Sequence, residues 1–374
     1  MRKIIAFIMA LALALAVTGV QAETKNPVAG KKVAYINRMP SSNLFQMSVE
    51  GSKALCDALG VQFDYYFCDG DFNLWQDRVS ACASAGYDGL FLVHGNQDGS
   101  YTFLKSVTEQ YPDLKIIVFD TDFYTDGEYK KLPGVTQIYQ ADHDMVKVLL
   151  DAMIEKFGEG VRLVKVWRGP NYDSAFERRD TAWQEYEAAG KIKTVGEIQP
   201  LSDSVDSANS VSAAYLAGLN REDVDGIVTY YDIYGQGVFN AIQENPNFNG
   251  QSGPALPLCS VDIDQVDITN MQNRPDIWHA AGTTDWNMNG ELCMRLLLLE
   301  IAGEYDKILD PVSGKYGADL VEIPGGAVLA SAVKDSFTVR DLGRIGGKAF
   351  GNPGNMSVTD WMPADILKKG GSAK

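Results

Sequence analysis

Apolar residues are distributed along the chain in short runs separated by longer stretches of helical spacing. VAYI from Val33, VQFDYYF from Val61, GLFLV from Gly89, KIIVF from Lys115 and VRLVKVW from Val161 are rich in β-branched and aromatic residues. Near-continuous apolar strands that alternate with helices predict parallel sheets covered on both faces. Between the first two runs, Phe45, Val49, Leu55, Cys56 and Leu59 recur at core spacing, which predicts a helix from Asn43 to Leu59 stopped by Gly60. The two runs and the helix between them therefore form a βαβ unit.

The second half restarts this cadence. Asp88-Gly-Leu-Phe-Leu-Val93 and Asp225-Gly-Ile-Val-Thr-Tyr230 each lead into a loop and a helix, and Val118-Phe-Asp-Thr-Asp122 matches Ser260-Val-Asp-Ile-Asp264. VAYINRMPSSNLF and VKVWRGPNYDSAF both run from strand through a Pro-containing loop into a helix. Their order is preserved, so two duplicated lobes are expected. In the segment GPNYDSAFERRDTAW, Ser174 and Glu177 have capping-box spacing, which predicts Ser174 as the N-cap. Arg178 and Arg179 then lie near a helix N-terminus, against the macrodipole. Phe176, Arg179, Trp183 and Tyr186 share one face, while Arg178 points away with Ala182 and Glu185 and reads as a solvated charge.

The N-terminus has a different pattern. Arg2 and Lys3 precede an apolar run from Ile4 to Val17 and small residues up to Ala22, the organisation of a secretory signal peptide cleaved after about Ala22. Cleavage leaves 352 of the 374 residues, enough for two domains. The formal charge of −16 becomes −18 without Arg2 and Lys3, so nucleic acid is a poor partner. Five scattered cysteines without a CxxC, and three histidines without metal-site spacing, point to buried thiols, no structural metal and no cofactor. A Cys56–Cys68 disulfide is permitted outside the cytoplasm.

Open α/β sheets bind ligands beyond the carboxyl ends of their strands. Those ends carry Asn37, Asn43, Phe45, His94, Asp120 and Asp122 in the first half, and Trp167, Tyr172, Arg179, Tyr231, Asp232, Asp262 and Asp264 in the second. Repetition of the Asp-x-Asp pair favours Asp120 and Asp262 over the outer Asp122 and Asp264. Carboxylates, amides and rings facing each other across a cleft suit a polyhydroxylated ligand.

From about Lys31 to about Val333 the order and spacing of these features resemble the periplasmic sugar-binding proteins of ABC importers, of the ribose and galactose type. The resemblance implies an α/β fold of two Rossmann-like, doubly wound parallel-sheet lobes joined by a three-crossing hinge. It implies a site containing Asn43, Phe45, Asp120, Arg179, Tyr231, Asp232, Asp262 and Asp285, to which the strand-end residue Tyr172 and the ring of Trp286, able to cover a sugar's C–H face, are added. After the signal peptide at 1–22, it implies a first lobe of residues 23–140 plus about 285–322 and a second of 141–284 plus about 323–345, while the C-terminal extension at about 346–374 has no counterpart in that family. The partners implied are a small-molecule ligand, a membrane ABC permease and a chemoreceptor or sensor, with the protein a periplasmic monomer and not an enzyme. Three positions depart from the family pattern: Thr121 stands for an arginine, Tyr231 for an asparagine and Asp285 for an amide. The acidic balance also suits a nucleoside or a cationic amine. A secreted α/β enzyme fits less well, since neither GxGxxG nor GxSxG occurs where such an enzyme needs it.

Overall fold

The computed structural model describes residues 26–125, 128–170, 172–345 and 353–367. The predicted signal peptide and parts of the C-terminal extension lie outside the described residues. In chain order the main strands are β1 (Lys32–Asn37), β2 (Gln62–Phe67), β3 (Gly89–Val93), β4 (Lys115–Phe119), β5 (Val135–Gln140), β6 (Val161–Val166), β7 (Ile192–Ile198), β8 (Gly226–Thr229), β9 (Leu258–Val261), β10 (Trp278–Thr283), β11 (Leu320–Ile323) and β12 (Gly326–Leu329). They form two six-stranded sheets, ordered β11-β5-β4-β3-β1-β2 and β12-β10-β9-β8-β6-β7. All neighbours are parallel except β12, which runs antiparallel to β10. The duplicated α/β architecture expected from the cadence is the one observed.

Each sheet reverses its winding at its first strand, between β1 and β3 and between β6 and β8. These are the switch points at which the strand ends open a crevice. Alternate residues of β1 enter different cores: Val33 and Tyr35 pack on one face, Ala34 and Ile36 on the other. The chain passes between sheets three times, from β5 into helix α4 (Asp142–Phe157), from β10 into α9 (Trp286–Ala302), and from β11 into β12.

The first helix, α1 (Asn43–Leu59), has the predicted bounds. Ser42 caps its start by accepting from the Phe45 N–H, and Gly60 ends it at φ 67°, where a Cβ is disfavoured. Helix α9 packs against α1, and two glycines set their separation. A Cβ on Gly51 would sit 1.9 Å from the Asn287 carbonyl oxygen, and one on Gly290 would sit 1.9 Å from that of Ser48. The backbones therefore touch, which carries the start of α9 up to the strand ends of the first sheet. Gly51→Ala should lower stability by about 1–3 kcal/mol or more, because backbone on both sides leaves no flexible neighbour to yield. A thermal melt within a degree of the parent's would contradict this close approach.

Candidate functional site

Among the described residues, four non-glycine residues take left-handed backbone conformations, and three of them immediately follow a strand: His94 after β3 (φ 51°), Asp120 after β4 (φ 44°) and Asp262 after β9 (φ 66°). Such conformations are uncommon outside glycine and gather at functional sites. The strain turns the two aspartates inward from equivalent strand ends of the two sheets.

The centre of the site is Asp142, the first residue of α4 and only 1% exposed. Its carboxylate accepts from Arg178 Nε at 2.9 Å and Arg179 Nε at 2.7 Å. Both arginines belong to α5 (Ser174–Ala188). Arg179 also donates to the Tyr230 carbonyl and lies 3.6 Å from Asp262. Arg178 extends to the first sheet, with Nη1 3.5 Å from Asp122 and Nη2 4.0 Å from Asp120, while its guanidinium stacks 4.2 Å above the Tyr139 ring. Tyr139 donates to Asp122 at 2.8 Å.

Arg178 is therefore not the solvated charge that helix periodicity assigns. The first turn of α5 abuts the first lobe, so the face that would meet water in an isolated helix meets carboxylates. The helix start also differs from expectation. Asp173, not Ser174, is the N-cap, accepting from the Ala175 N–H, and this frees the Ser174 hydroxyl to donate to Asp122. Asp122 and Asp264, the outer aspartates, make contacts between the lobes, since Asn43 Nδ2 reaches Asp264 at 3.5 Å. Asp120 and Asp262 remain the inner pair.

Burial pushes the Asp120 carboxyl up to about 8; Asp142 adds to the shift, while Arg178 and Arg179 oppose it. Burial likewise pushes Asp262 up to about 6 against the pull of Arg179. Burial disfavours charge on Arg178, but Asp142, Asp122 and Asp120 more than offset this and raise its pKa. Asp232, at the start of α7 (Asp232–Glu244), is raised well above its ordinary value by burial, then by Asp267 and Asp262.

The first lobe contributes an aromatic wall. Phe45 meets Trp286 edge to face at 5.6 Å and His94 at 5.3 Å, and Phe119 lies 6.0 Å from Trp286. Burial, followed by Arg38, lowers the His94 pKa to about 4, so its ring is neutral at pH 7. At the strand ends and the start of α9, several buried polar atoms have no hydrogen-bond partner within the protein: Asp120 Oδ1, Asp262 Oδ1, Gln140 Oε1, Thr284 Oγ1 and Trp286 Nε1. Buried polar groups are rarely left unpaired, so these atoms are open to a bound ligand or to water.

The residues named from sequence occupy this region in different ways. Asp120, Arg179 and Asp262 converge with Asp142, and Phe45 with Trp286. Tyr231 is the N-cap residue of α7 and packs on Tyr234, with Asp232 following it. Asp285 caps α9, accepting from Asn287 and Met288 N–H. Tyr172 is half-exposed, bonded to Asp203 and stacked under Arg168 at 3.9 Å. Sequence reasoning kept Gln140 and Asp142 for the first hinge crossing and Arg178 as a solvated charge, and named none of them for the site. The first two sit where the chain leaves β5 for the other lobe, and that crossing was the available signal.

A family model described as periplasmic binding protein domain matches residues 33–304. No curated protein sequence matches significantly. Among solved structures, a sugar ABC transporter protein from Yersinia enterocolitica is similar at 21% identity, covering 91% of this chain and 94% of its own, with a TM-score of 0.66. The solute-binding protein of a 5-methylthioribose transporter from Thermotoga lettingae, in complex with 5-methylthioribose, shares 18% identity over 90% and 98% of the two chains, at TM-score 0.68. A periplasmic ribose ABC transporter protein from Conexibacter woesei shares 16% over 82% and 94%, also at 0.68. The paired sheets, the crossings between them and a family match over most of the chain agree: the protein belongs to the periplasmic binding protein family.

Proposed function

We propose that this protein captures a small polyhydroxylated ligand, a monosaccharide, between two closing lobes and delivers it to a membrane ABC permease. The observation that carries this reading is the set of unpaired polar atoms beside an aromatic wall. Hydroxyl donors on a sugar would satisfy the Asp120, Asp262 and Gln140 oxygens, Trp286 Nε1 and Thr284 Oγ1 would pair with its oxygens, and Phe45 or Trp286 would cover its C–H face. The ligands named for the neighbouring structures, ribose and 5-methylthioribose, are of this chemistry. The proposed ligand residues are Asn43, Phe45, Asp120, Tyr172, Arg179, Tyr231, Asp232, Asp262, Asp285 and Trp286, to which the geometry adds Gln140.

The working parts are a periplasmic monomer released from its signal peptide, with one lobe of 23–140 plus about 285–322 and the other of 141–284 plus about 323–345. Ligand contacts from both lobes favour the closed form, which the permease and a chemoreceptor would recognise. A hydrogen bond to a charged group contributes roughly 1.5–3 kcal/mol, so three or four of them suffice to shift the lobe equilibrium. The reading includes no chemical turnover. A nucleoside or cationic amine is the second reading, favoured by four carboxylates, Asp120, Asp122, Asp142 and Asp262, around two arginines.

A thermal-shift screen of the mature protein against pentoses, hexoses, polyols, nucleosides and amines separates these readings. A ligand at a hundredfold its Kd should stabilise by about 2.7 kcal/mol, and stabilisation by amines or nucleosides alone would overturn the sugar reading. Arg178→Ala should weaken binding of whichever ligand the screen finds, measured by calorimetry, because it removes the guanidinium that joins Asp142 to the first lobe. Arg179→Ala should in addition cost roughly 3–5 kcal/mol of stability by leaving Asp142 buried without its nearest cation. A binding-neutral Arg178→Ala would return that residue to a surface role.

Asp120 sets a pH dependence. Its folded value of about 8 lies above the ordinary 3.8, so its contribution to stability is complete below about pH 4 and is lost as pH rises towards 8. Hydroxyl donors favour the carboxylate, so ligand binding between pH 6 and 8 should release protons and tighten with rising pH. Calorimetry in two buffers of different ionisation enthalpy reads this directly, and proton uptake would place the ligand away from Asp120.

A further inference from the structure

Beyond the three crossings, the chain links the lobes once more. After β12 it runs along the second lobe, where Gln272, near the end of α8 (Gln265–Asn273), donates to the Lys334 carbonyl at 2.7 Å and the Phe337 carbonyl at 3.1 Å. The Val339 N–H then donates to Gln265 Oε1, at the start of α8, at 3.1 Å. The next residue, Arg340, grips Glu50 on α1 of the first lobe, with Nη1 donating to Oε2 at 2.6 Å and Nη2 to Oε1 at 3.1 Å. Neighbouring Cα atoms are 3.8 Å apart, so two consecutive residues hold both lobes at once. Thr338 and Asp341 close a capping box around this turn, and the side chains of Val339 and Leu342 are buried in the core.

Residues 357–363 lie on the first lobe. Arg295 of α9, fully buried and paired with Glu291, donates to the Ser357, Met362 and Pro363 carbonyls. Trp361 donates to Glu304 at 3.1 Å. The link is thus anchored on each side. It also lies close to the mouth of the cleft. Gln265 follows Asp264, the partner of Asn43, and Glu50 stands seven residues beyond Asn43 on α1, about 10 Å along the helix. Gly343 meets Asp285 so closely that a Cβ would lie 2.5 Å from Oδ2.

We propose that residues 338–342 form a fourth inter-lobe link that acts as a stop on opening of the cleft. It rests on the reading that the lobes open and close. Separating α1 from the start of α8 must stretch this turn, and it yields only if the Val339–Gln265 bond or the Arg340–Glu50 pair breaks. The exposed Arg340–Glu50 pair is weak alone, but the two Gln272 bonds and the buried Val339 and Leu342 hold the turn beside it.

The test uses the full mature chain without ligand. Gln265→Ala, Gln272→Ala and Arg340→Ala combined remove the side-chain anchors without touching the core. Small-angle scattering should give a larger radius of gyration for the variant than for the parent, and an equal radius overturns the stop. Hydrogen exchange of the unmodified protein supplies a second reading should the variant fold poorly. The Val339 amide should be protected well above a solvent-exposed loop, and exchange at the loop rate overturns the proposal. Neither measurement needs a ligand. A failed ligand screen with a widened variant would sink capture and spare the stop, whereas a successful screen with an unchanged radius would do the reverse.

Discussion

One carboxylate binds two arginines at the point where the chain leaves the first sheet. Asp142 begins α4 and accepts from Arg178 and Arg179 together, so the first crossing, the first helix of the second lobe and the strand ends of both sheets are held in one ion cluster. Two cations near the start of α5 oppose its dipole, while Asp142 at the start of α4 matches the dipole there. The cluster offsets an unfavourable local placement with a favourable one. Because the group is buried, removing a member weakens the compensation its partners receive, and that interdependence couples the first crossing to the strand ends of both sheets.

Around this cluster, the close packing of α1 and α9 decides what the first lobe presents. Gly51 and Gly290 let the two backbones touch, which brings Phe45 at the start of one helix against Trp286 at the start of the other. The aromatic wall thus depends on two residues that have no side chain. At the strand ends, Asp120 and Asp262 adopt left-handed conformations, each with one buried, unpaired oxygen. Strain, burial and absent partners coincide at equivalent strand ends of two duplicated sheets, the arrangement expected where a ligand supplies the missing bonds.

The links between lobes differ in kind. Three are passages between sheet elements, and the fourth is a turn whose adjacent residues hold opposite lobes, Val339 through its backbone N–H and Arg340 through its side chain. In the proposed closure, the first three rotate by a few backbone angles. The fourth adds non-covalent anchors at a distance from them, and so addresses how far the lobes part rather than whether they move.

Much of the fold was legible from the chain alone, because it depends on local periodicity. Continuous apolar runs, the Gly60 stop and the ordered repeats suffice for two parallel-sheet lobes, and α1 has the bounds its spacing predicts. Strand ends were equally legible, which is why Asp120, Asp262 and Arg179 could be named without coordinates. Tertiary structure alone decided the partners. Helix periodicity placed Arg178 on the face away from the core, but a face of α5 that would meet water by itself meets Asp120 and Asp122 of the other lobe. Ser174 had the spacing of a cap, yet Asp173 took that role and Ser174 turned to Asp122. Asp142, 22 residues beyond Asp120 and 37 before Arg179, had no local pattern to mark it. Local sequence fixes which way a side chain leaves its own helix or strand; what it meets depends on where the chain returns, and that is set by the packing of the two lobes.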